Sequence, residues 1–153
     1  MRTIAIVGSR SCQGESLEKL KAFASEAFGG ADRIYSGNAV GVDSLARLAV
    51  PEKITLWLPW ASYNAESIRP GEEAIDAGSD ERYDELIESL FPWFAAMKDT
   101  VKPMIRRDAF IALGDWQRPK ADEVLWHTGK GLTGGTSYCV LIARSVGIKT
   151  TEF

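Results

Sequence analysis

The sequence predicts a Rossmann-like three-layer α/β sandwich, with a mostly parallel sheet of about five strands and a helical insertion. Three observations predict it. Short apolar runs rich in β-branched residues alternate with segments of helical periodicity, which is the order of a parallel sheet with right-handed crossovers. The first run, residues 3–7, ends at Gly8, as a buried strand does when it enters a tight loop. Small-residue loops follow three of the strands, and such loops meet beyond the carboxyl ends of parallel strands.

Length and composition indicate one globular domain spanning residues 1–153. The chain is 45% hydrophobic and 25% charged, with a formal net charge of −3. A negative total argues against a protein whose main work is coating nucleic acid. No apolar run suits a bilayer and no signal-like segment opens the chain. The two cysteines, Cys12 and Cys139, match neither a disulfide framework nor a metal site. We therefore expect a cytoplasmic protein with no membrane contact, no metal and no cofactor.

The first half of the chain carries the alternation most clearly. Apolar side chains between residues 16 and 28 recur at helical spacing, and Gly29-Gly30 stops the helix. The predicted elements are a strand over 3–7, a helix over 16–28, a strand over 33–35, a helix from Asp43 to the residue before Pro51, and a strand over 54–58.

The second half departs from this rhythm at residues 65–102, which we interpret as an insertion packed beside the sheet. Residues 68–79 indicate an irregular acidic excursion, and an apolar helical stripe follows, interrupted by Pro92. The remaining predicted elements are a helix over 103–113, a strand over 123–127, a helix over 135–146 and a strand over 148–153.

Two of the glycine loops have the chemistry of an anion site. Gly8 permits close approach to the backbone, Ser9 adds a hydroxyl, and Arg10 adds a cation that suits phosphate. The second loop precedes a predicted helix, whose free N–H groups attract anions. It consists of Thr133, Gly134, Gly135, Thr136 and Ser137. The first loop also suits an ordinary strand-to-helix turn with a solvated arginine. The second also suits a glycine turn in which Thr136 or Ser137 caps the helix.

Further candidates surround the same edge of the sheet. Asn38 and Asp43 suit ribose hydroxyls, although Asp43 also suits a helix cap. Trp60, with Tyr63 and Asn64, suits a base-stacking wall or the covering of a sheet edge. His127, the one histidine, suits either a general base or a structural role at a strand end.

Three sequence stretches together resemble the SLOG superfamily of Rossmann-like domains. They are the strand ending in Gly8-Ser9-Arg10, the loop Ser36-Gly37-Asn38-Ala39-Val40-Gly41-Val42-Asp43, and Gly134-Gly135-Thr136. The superfamily includes the DNA-processing protein Smf (DprA), the LOG phosphoribohydrolases and small YspA/YpsA-like members, which this chain resembles most. The resemblance implies a nucleotide-like ligand at these loops, at Trp60 and at Arg107 of the Arg107-Asp108 pair. It also implies self-association, for which the stripe of Leu86, Leu90 and Phe94 suits an interface or the core.

The chain departs from the LOG pattern at two positions. No glutamate follows Thr136 where LOG enzymes have a catalytic one, and Asp108 stands where the small members have asparagine. We therefore expect binding of a nucleotide or nucleotide-derived small molecule, for sensing or sequestration. A nucleotide hydrolase of the LOG type is the first alternative, with Asp43 and Asp108 as its candidate catalytic carboxylates. An accessory protein handling single-stranded DNA is the second, although the chain offers no obvious basic surface.

Overall fold

The computed structural model describes residues 1–153 and contains a sheet in which all the strands are parallel. Its six strands lie in the order β4-β3-β2-β1-β5-β6. Their bounds are β1 Thr3–Gly8, β2 Arg33–Ser36, β3 Ile54–Leu58, β4 Glu73–Asp76, β5 Glu123–His127 and β6 Lys149–Glu152. The predicted fold class is confirmed, with one strand more than expected.

Helices cover both faces of this sheet. The α-helices are α1 Glu15–Glu18, α2 Lys21–Phe28, α3 Asp84–Leu90, α4 Lys102–Leu113 and α5 Gly134–Ser145. The 3₁₀ helices are Gly41–Leu48, Pro51–Lys53, Ala65–Ser67 and Pro92–Ala96. No helix combines the length and apolar composition needed to cross a membrane.

The hydrophobic core consists of two clusters, one on each face of the sheet, because side chains along a strand point to the two faces in turn. In β1, Ile4 and Ile6 face a cluster of 14 buried residues beneath α2 and the 3₁₀ helix Gly41–Leu48. Ala5 and Val7 face the opposite cluster of 21 buried residues, to which α3, α4 and α5 contribute. Successive side chains of a strand point to opposite faces, so a continuous apolar run supplies both clusters.

Two predicted helices differ in detail from the structure. The helix over residues 16–28 is divided between α1 and α2, and at the junction the N–H of Leu20 donates to the carbonyl of Leu17, three residues back. The helix expected from Asp43 is a 3₁₀ helix that begins at Gly41. Side chains three residues apart align on such a helix, and Val42 and Leu45 are buried together on it.

The predicted irregular excursion contains a strand. Residues 73–76 form β4, which pairs with β3 at the edge of the sheet. Alternate residues of β4 are exposed, so the segment is too polar to show the apolar run of a buried strand. The following residues reach the core through Ile87, Phe91 and Phe94. Leu86, Leu90 and Phe94 pack in or against this core, so the stripe does not form an exposed apolar face.

Candidate functional site

The sheet order creates a crevice between β1 and β5. From β1 the chain continues to β2 on one side, whereas β5 continues to β6 on the other. Loops that leave two adjacent parallel strands in opposite directions leave a gap at the carboxyl edge of the sheet. A cavity of about 380 Å³ lies there, which is within the range of about 300–1,000 Å³ typical of small-molecule sites.

The loop after β1 packs closely against its neighbours. The N–H of Ser9 donates to the carbonyl of His127 at 2.9 Å, and the N–H of Val42 donates to the carbonyl of Ser9 at 3.2 Å. A Cβ on Gly8 would lie 2.3 Å from the His127 oxygen and 2.5 Å from the Val42 Cβ. Glycine at this position therefore allows the first loop to contact the end of β5.

The N-terminus of α5 opens onto the cavity. Thr133 occupies the N-cap position, and no side chain caps the first N–H groups of the helix. Thr133, Gly134, Gly135 and Thr136 line the cavity, and a Cβ added at either glycine would meet no atom within 4 Å. Unsatisfied N–H groups and the positive end of the helix dipole thus face open space.

Two cations beside this helix end have no partner within the protein. Arg10 and Lys130 line the cavity, both are exposed, and neither side chain takes part in a salt bridge. Lys130 follows β5 in a polar turn, where its backbone N–H donates to Thr128 Oγ1 at 3.1 Å. Sequence analysis missed Lys130, because nothing in the pattern around it distinguishes it from an ordinary solvent-exposed lysine.

Arg107 also lines the cavity, but its guanidinium is engaged by the protein. Nη1 donates to the main-chain carbonyl of Gly37, and Nε donates to Asp108 Oδ1 at 3.1 Å. The guanidinium carbon lies 5.4 Å from the centroid of the Tyr63 ring. Burial lowers the pKa of Arg107, but attraction by Asp108 and Asp43 outweighs burial and leaves the pKa above its ordinary value. Arg107 therefore acts as a buried counter-charge.

Asp43 is a buried carboxylate that contacts the end of β1 and the loop after β2. Oδ2 accepts the N–H of Ala39 at 3.2 Å. Burial raises the pKa of Asp43 to about 6, while Arg107 and the backbone N–H groups of Ala39, Gly8 and Gly37 oppose this increase. These N–H groups favour the ionised form of Asp43. By accepting from them Asp43 stabilises the adjacent backbone, and it also lines the cavity.

Asp108 differs from Asp43 in having no backbone N–H partner. Oδ1 accepts from Arg107, whereas Oδ2 has no protein partner and Asp108 lines the cavity. Burial raises the pKa of Asp108 to about 7, and nearby Asp43 adds to the increase, although Arg107 opposes it. Of the two candidate carboxylates, Asp108 is therefore the one that the protein engages less.

The opposite wall of the cavity is largely apolar. Four of its residues come from α4 or the turn before it, and two from α5. They are Val101, Met104, Ile105, Ile111, Tyr138 and Cys139. Burial raises the pKa of the Cys139 thiol well above its ordinary value, so the thiol stays neutral. The sequence did not reveal this wall, because its helical apolar spacing equally describes a core face.

The cavity brings together most of the residues that the sequence singled out. Its lining includes Gly8, Ser9, Arg10, Asp43, Tyr63, Arg107, Asp108, Thr133, Gly134, Gly135 and Thr136. It does not include Ser36, Gly37, Asn38, Gly41, Trp60, Ser137 or His127. No group of three or more His, Cys, Asp or Glu side chains is arranged to bind a metal ion.

Several residues outside the lining stabilise the neighbouring loops. Asn38 is buried at φ 60°, and its Nδ2 donates to the carbonyls of Tyr63 and Asn64 at 3.2 and 3.1 Å. The Ser36 hydroxyl donates to the main-chain carbonyl of Asp43 at 3.1 Å. His127 contacts the carbonyl of Phe153 through Nδ1. Ligand contact at Asn38 and Ser36 would require these groups to change partners.

Comparison with known proteins supports the fold. No protein-family model matches the chain, and no curated protein matches its sequence. Among solved structures, DNA processing protein A from Helicobacter pylori, studied for its single-stranded DNA binding mode, has a similar fold with a TM-score of 0.63. The identity is 17%, and the match covers 99% of this chain but 64% of that protein. The likeness shows the fold alone, so the resemblance to the SLOG superfamily and to its YspA-like members stays a prediction.

Proposed function

We propose that this protein binds a nucleotide or a nucleotide-derived small molecule in the cavity between β1 and β5. The observation that carries the proposal is the combination of an uncapped α5 N-terminus with two unpartnered cations, Arg10 and Lys130, at one opening. Backbone N–H groups at a helix start and flexible cations are the usual partners of phosphate. Because no reaction is assigned to this site, we propose that binding serves to sense or sequester the ligand.

The proposed pose assigns the two ends of the ligand to the two walls. The phosphate would accept from the N–H groups at Gly134–Thr136, with Arg10 and Lys130 beside it. The base or another flat group would pack against Met104, Ile105 and Ile111. A volume of about 380 Å³ suits one such small ligand, since small-molecule sites begin at about 300 Å³.

A matched pair of glycine variants tests the phosphate end. A Cβ at Gly135 or at Gly30 would meet no atom within 4 Å, and neither residue has a positive φ. Both Gly135→Asp and Gly30→Asp should therefore fold and carry the same added charge. We expect Gly135→Asp to abolish the thermal shift given by nucleoside monophosphates and Gly30→Asp to keep it. Equal shifts in the two variants would refute the site.

A second pair tests the cations. Lys130→Ala should weaken nucleotide binding about tenfold or more, because charge-assisted hydrogen bonds contribute about 1.5–3 kcal/mol. Lys120 is exposed and precedes β5, at the opposite edge of the sheet, so Lys120→Ala should bind as the wild type does. Chromatography of the same mixtures after incubation would detect released base, and thus separate binding from LOG-type hydrolysis at Asp108.

Binding of single-stranded DNA is the second candidate, favoured by the likeness to the Helicobacter pylori protein. Its physical signature is an affinity that falls steeply with salt, since phosphates release counterions when basic side chains bind them. A gel shift with an oligonucleotide at 50 and 200 mM salt tests it. Loss of that shift in Lys130→Ala, with no response to mononucleotides, would favour this function over the first.

A further inference from the structure

The buried wall of the cavity carries more negative than positive charge when its carboxyl groups are ionised. Asp43 and Asp108 share the single cation Arg107, which contacts Asp108 through Nε at 3.1 Å. Asp43 and Asp108 are only 5% and 8% exposed. An anion at the start of α5 would therefore face an excess negative charge with little solvent screening.

The hydrogen bonds of Asp108 determine where a proton would reside. Oδ1 already accepts from Arg107, so the oxygen available for protonation is Oδ2, which has no protein partner. A carboxyl group protonated there presents an O–H donor to the cavity and removes the excess charge. The same side chain thus repels an anion in one protonation state and donates to it in the other.

We propose that the cavity binds its anionic ligand together with one proton, which resides on Asp108 Oδ2. The inference rests on the proposed function and defines how that site selects and releases its ligand. Binding is strong when Asp108 is protonated and declines as the pH rises through neutrality. The ligand class is an anion with an acceptor oxygen within reach of Asp108, such as a phosphate ester.

The groups that face Asp108 decide whether other titrations could mimic this behaviour. The titratable groups that line the cavity with Asp108 are Arg107 from α4, Asp43 from the 3₁₀ helix, Tyr138 and Cys139 from α5, and Arg10, Tyr63 and Lys130 from the loops. Burial raises the pKa of Asp43 to about 6 and that of Asp108 to about 7, so both carboxyl groups change charge between pH 5.5 and pH 8 and variants must separate them. His127, the one histidine of the chain, lies outside the lining and serves as the control position.

The test needs a ligand whose own charge is constant. A phosphate monoester loses its second proton near pH 6, at about the pKa of the site. The probes are therefore the methyl esters of the four ribonucleoside 5′-monophosphates, which keep one charge, titrated by calorimetry at pH 5.5 and pH 8. We expect the affinity to be about tenfold lower at pH 8 than at pH 5.5. At pH 8 we also expect binding to take up a proton, seen as a binding heat that depends on the ionisation enthalpy of the buffer.

Two variants assign the proton. Asp108→Asn keeps an acceptor for Arg107 and a permanent donor, so its affinity should be nearly equal at the two pH values, without proton uptake. His127→Gln should retain the tenfold ratio. Should Asp108→Asn fail to fold, Asp43→Asn decides the matter: retained pH dependence and proton uptake support the inference, and loss of both assigns the proton to Asp43 and overturns it.

The outcomes separate this inference from the proposed function. Binding that is abolished by Gly135→Asp but equal at both pH values and without proton uptake overturns the inference and leaves the function standing. A pH dependence lost in His127→Gln also overturns it. No binding of any probe at either pH overturns both.

Discussion

The guanidinium of Arg107 donates to the main-chain carbonyl of Gly37, 70 residues earlier in the chain. A Cβ on Gly37 would lie 2.6 Å from Nη1 of Arg107, so a side chain at position 37 would displace the guanidinium. This contact joins α4 to the loop after β2. The same guanidinium lies over Tyr63, in the loop after β3.

Replacing Arg107 should destabilise the fold severely. Arg107→Met leaves two buried carboxylates without their counter-charge, and we expect a loss of about 3–5 kcal/mol in the free energy of unfolding at pH 8. The loss should be smaller at pH 5.5, because protonation of Asp43 and Asp108 then replaces the missing cation. Urea unfolding at both pH values measures it. Arg144→Met, at an exposed position, should change stability by no more than about 0.5 kcal/mol.

The stability of the wild type should decrease from pH 5 to pH 6.5. Burial raises the pKa of Asp43 from 3.8 to about 6 and that of Asp108 from 3.8 to about 7. In this interval the folded state binds more protons than the unfolded state, so the free energy of unfolding falls as the pH rises, by about 2 kcal/mol per pH unit. Glu73 and Asp80, whose pKa values are lowered by Arg118 and Arg82, act below this interval. Urea unfolding should show a shallower slope in Asp108→Asn; an unchanged slope would exclude Asp108 as the source.

Gly8→Ala should destabilise the fold strongly, although it adds only one methyl group. The new Cβ would meet the His127 carbonyl and the Val42 side chain, and both belong to packed elements that cannot move freely. We expect a cost of about 1–3 kcal/mol, as for overpacking in a core. Gly30→Ala has open space around it and should be neutral or slightly stabilising. Thermal unfolding of the two variants provides the comparison, and equal midpoints would contradict the close approach of β1 and β5.

Arg118 should stabilise the edge strand β4. Nε and Nη2 donate to the two carboxylate oxygens of Glu73 at 2.7 and 2.8 Å. Arg118→Met should raise hydrogen exchange at the β4 amides about fivefold to tenfold, since a half-exposed pair contributes about 1 kcal/mol. Arg82→Met, which removes a local pair with Asp80, should leave those amides unaffected. Unchanged hydrogen exchange at the β4 amides in Arg118→Met would show that backbone pairing with β3 alone stabilises β4.

The sequence predicted β1 and β3 because their residues are largely apolar and each run ends at a glycine or before a proline. It missed β4 because an edge strand with exposed acidic residues has no apolar run. It also predicted one helix over residues 16–28 where α1 and α2 are separate. Local turn geometry at Leu20 decides that boundary, and periodicity does not report it.

The approach of the loops after β1 and β5 followed from topology, and Gly8 and Gly135 do line one cavity. The engagement of Arg107 by Gly37, by contrast, depends on side-chain direction across the crevice. Lys130 and the free oxygen of Asp108 likewise depend on three-dimensional position. No spacing in the chain encodes them.

The cavity wall combines residues from four distant parts of the chain, around Gly8, Asp43, Arg107 and Gly135. During synthesis, therefore, no ligand could bind until residues beyond 135 had left the ribosome. A ligand stabilises only the state that binds it, so it would offer a growing chain no protection against aggregation or proteolysis before that moment. Its benefit would begin only when the sheet was almost complete.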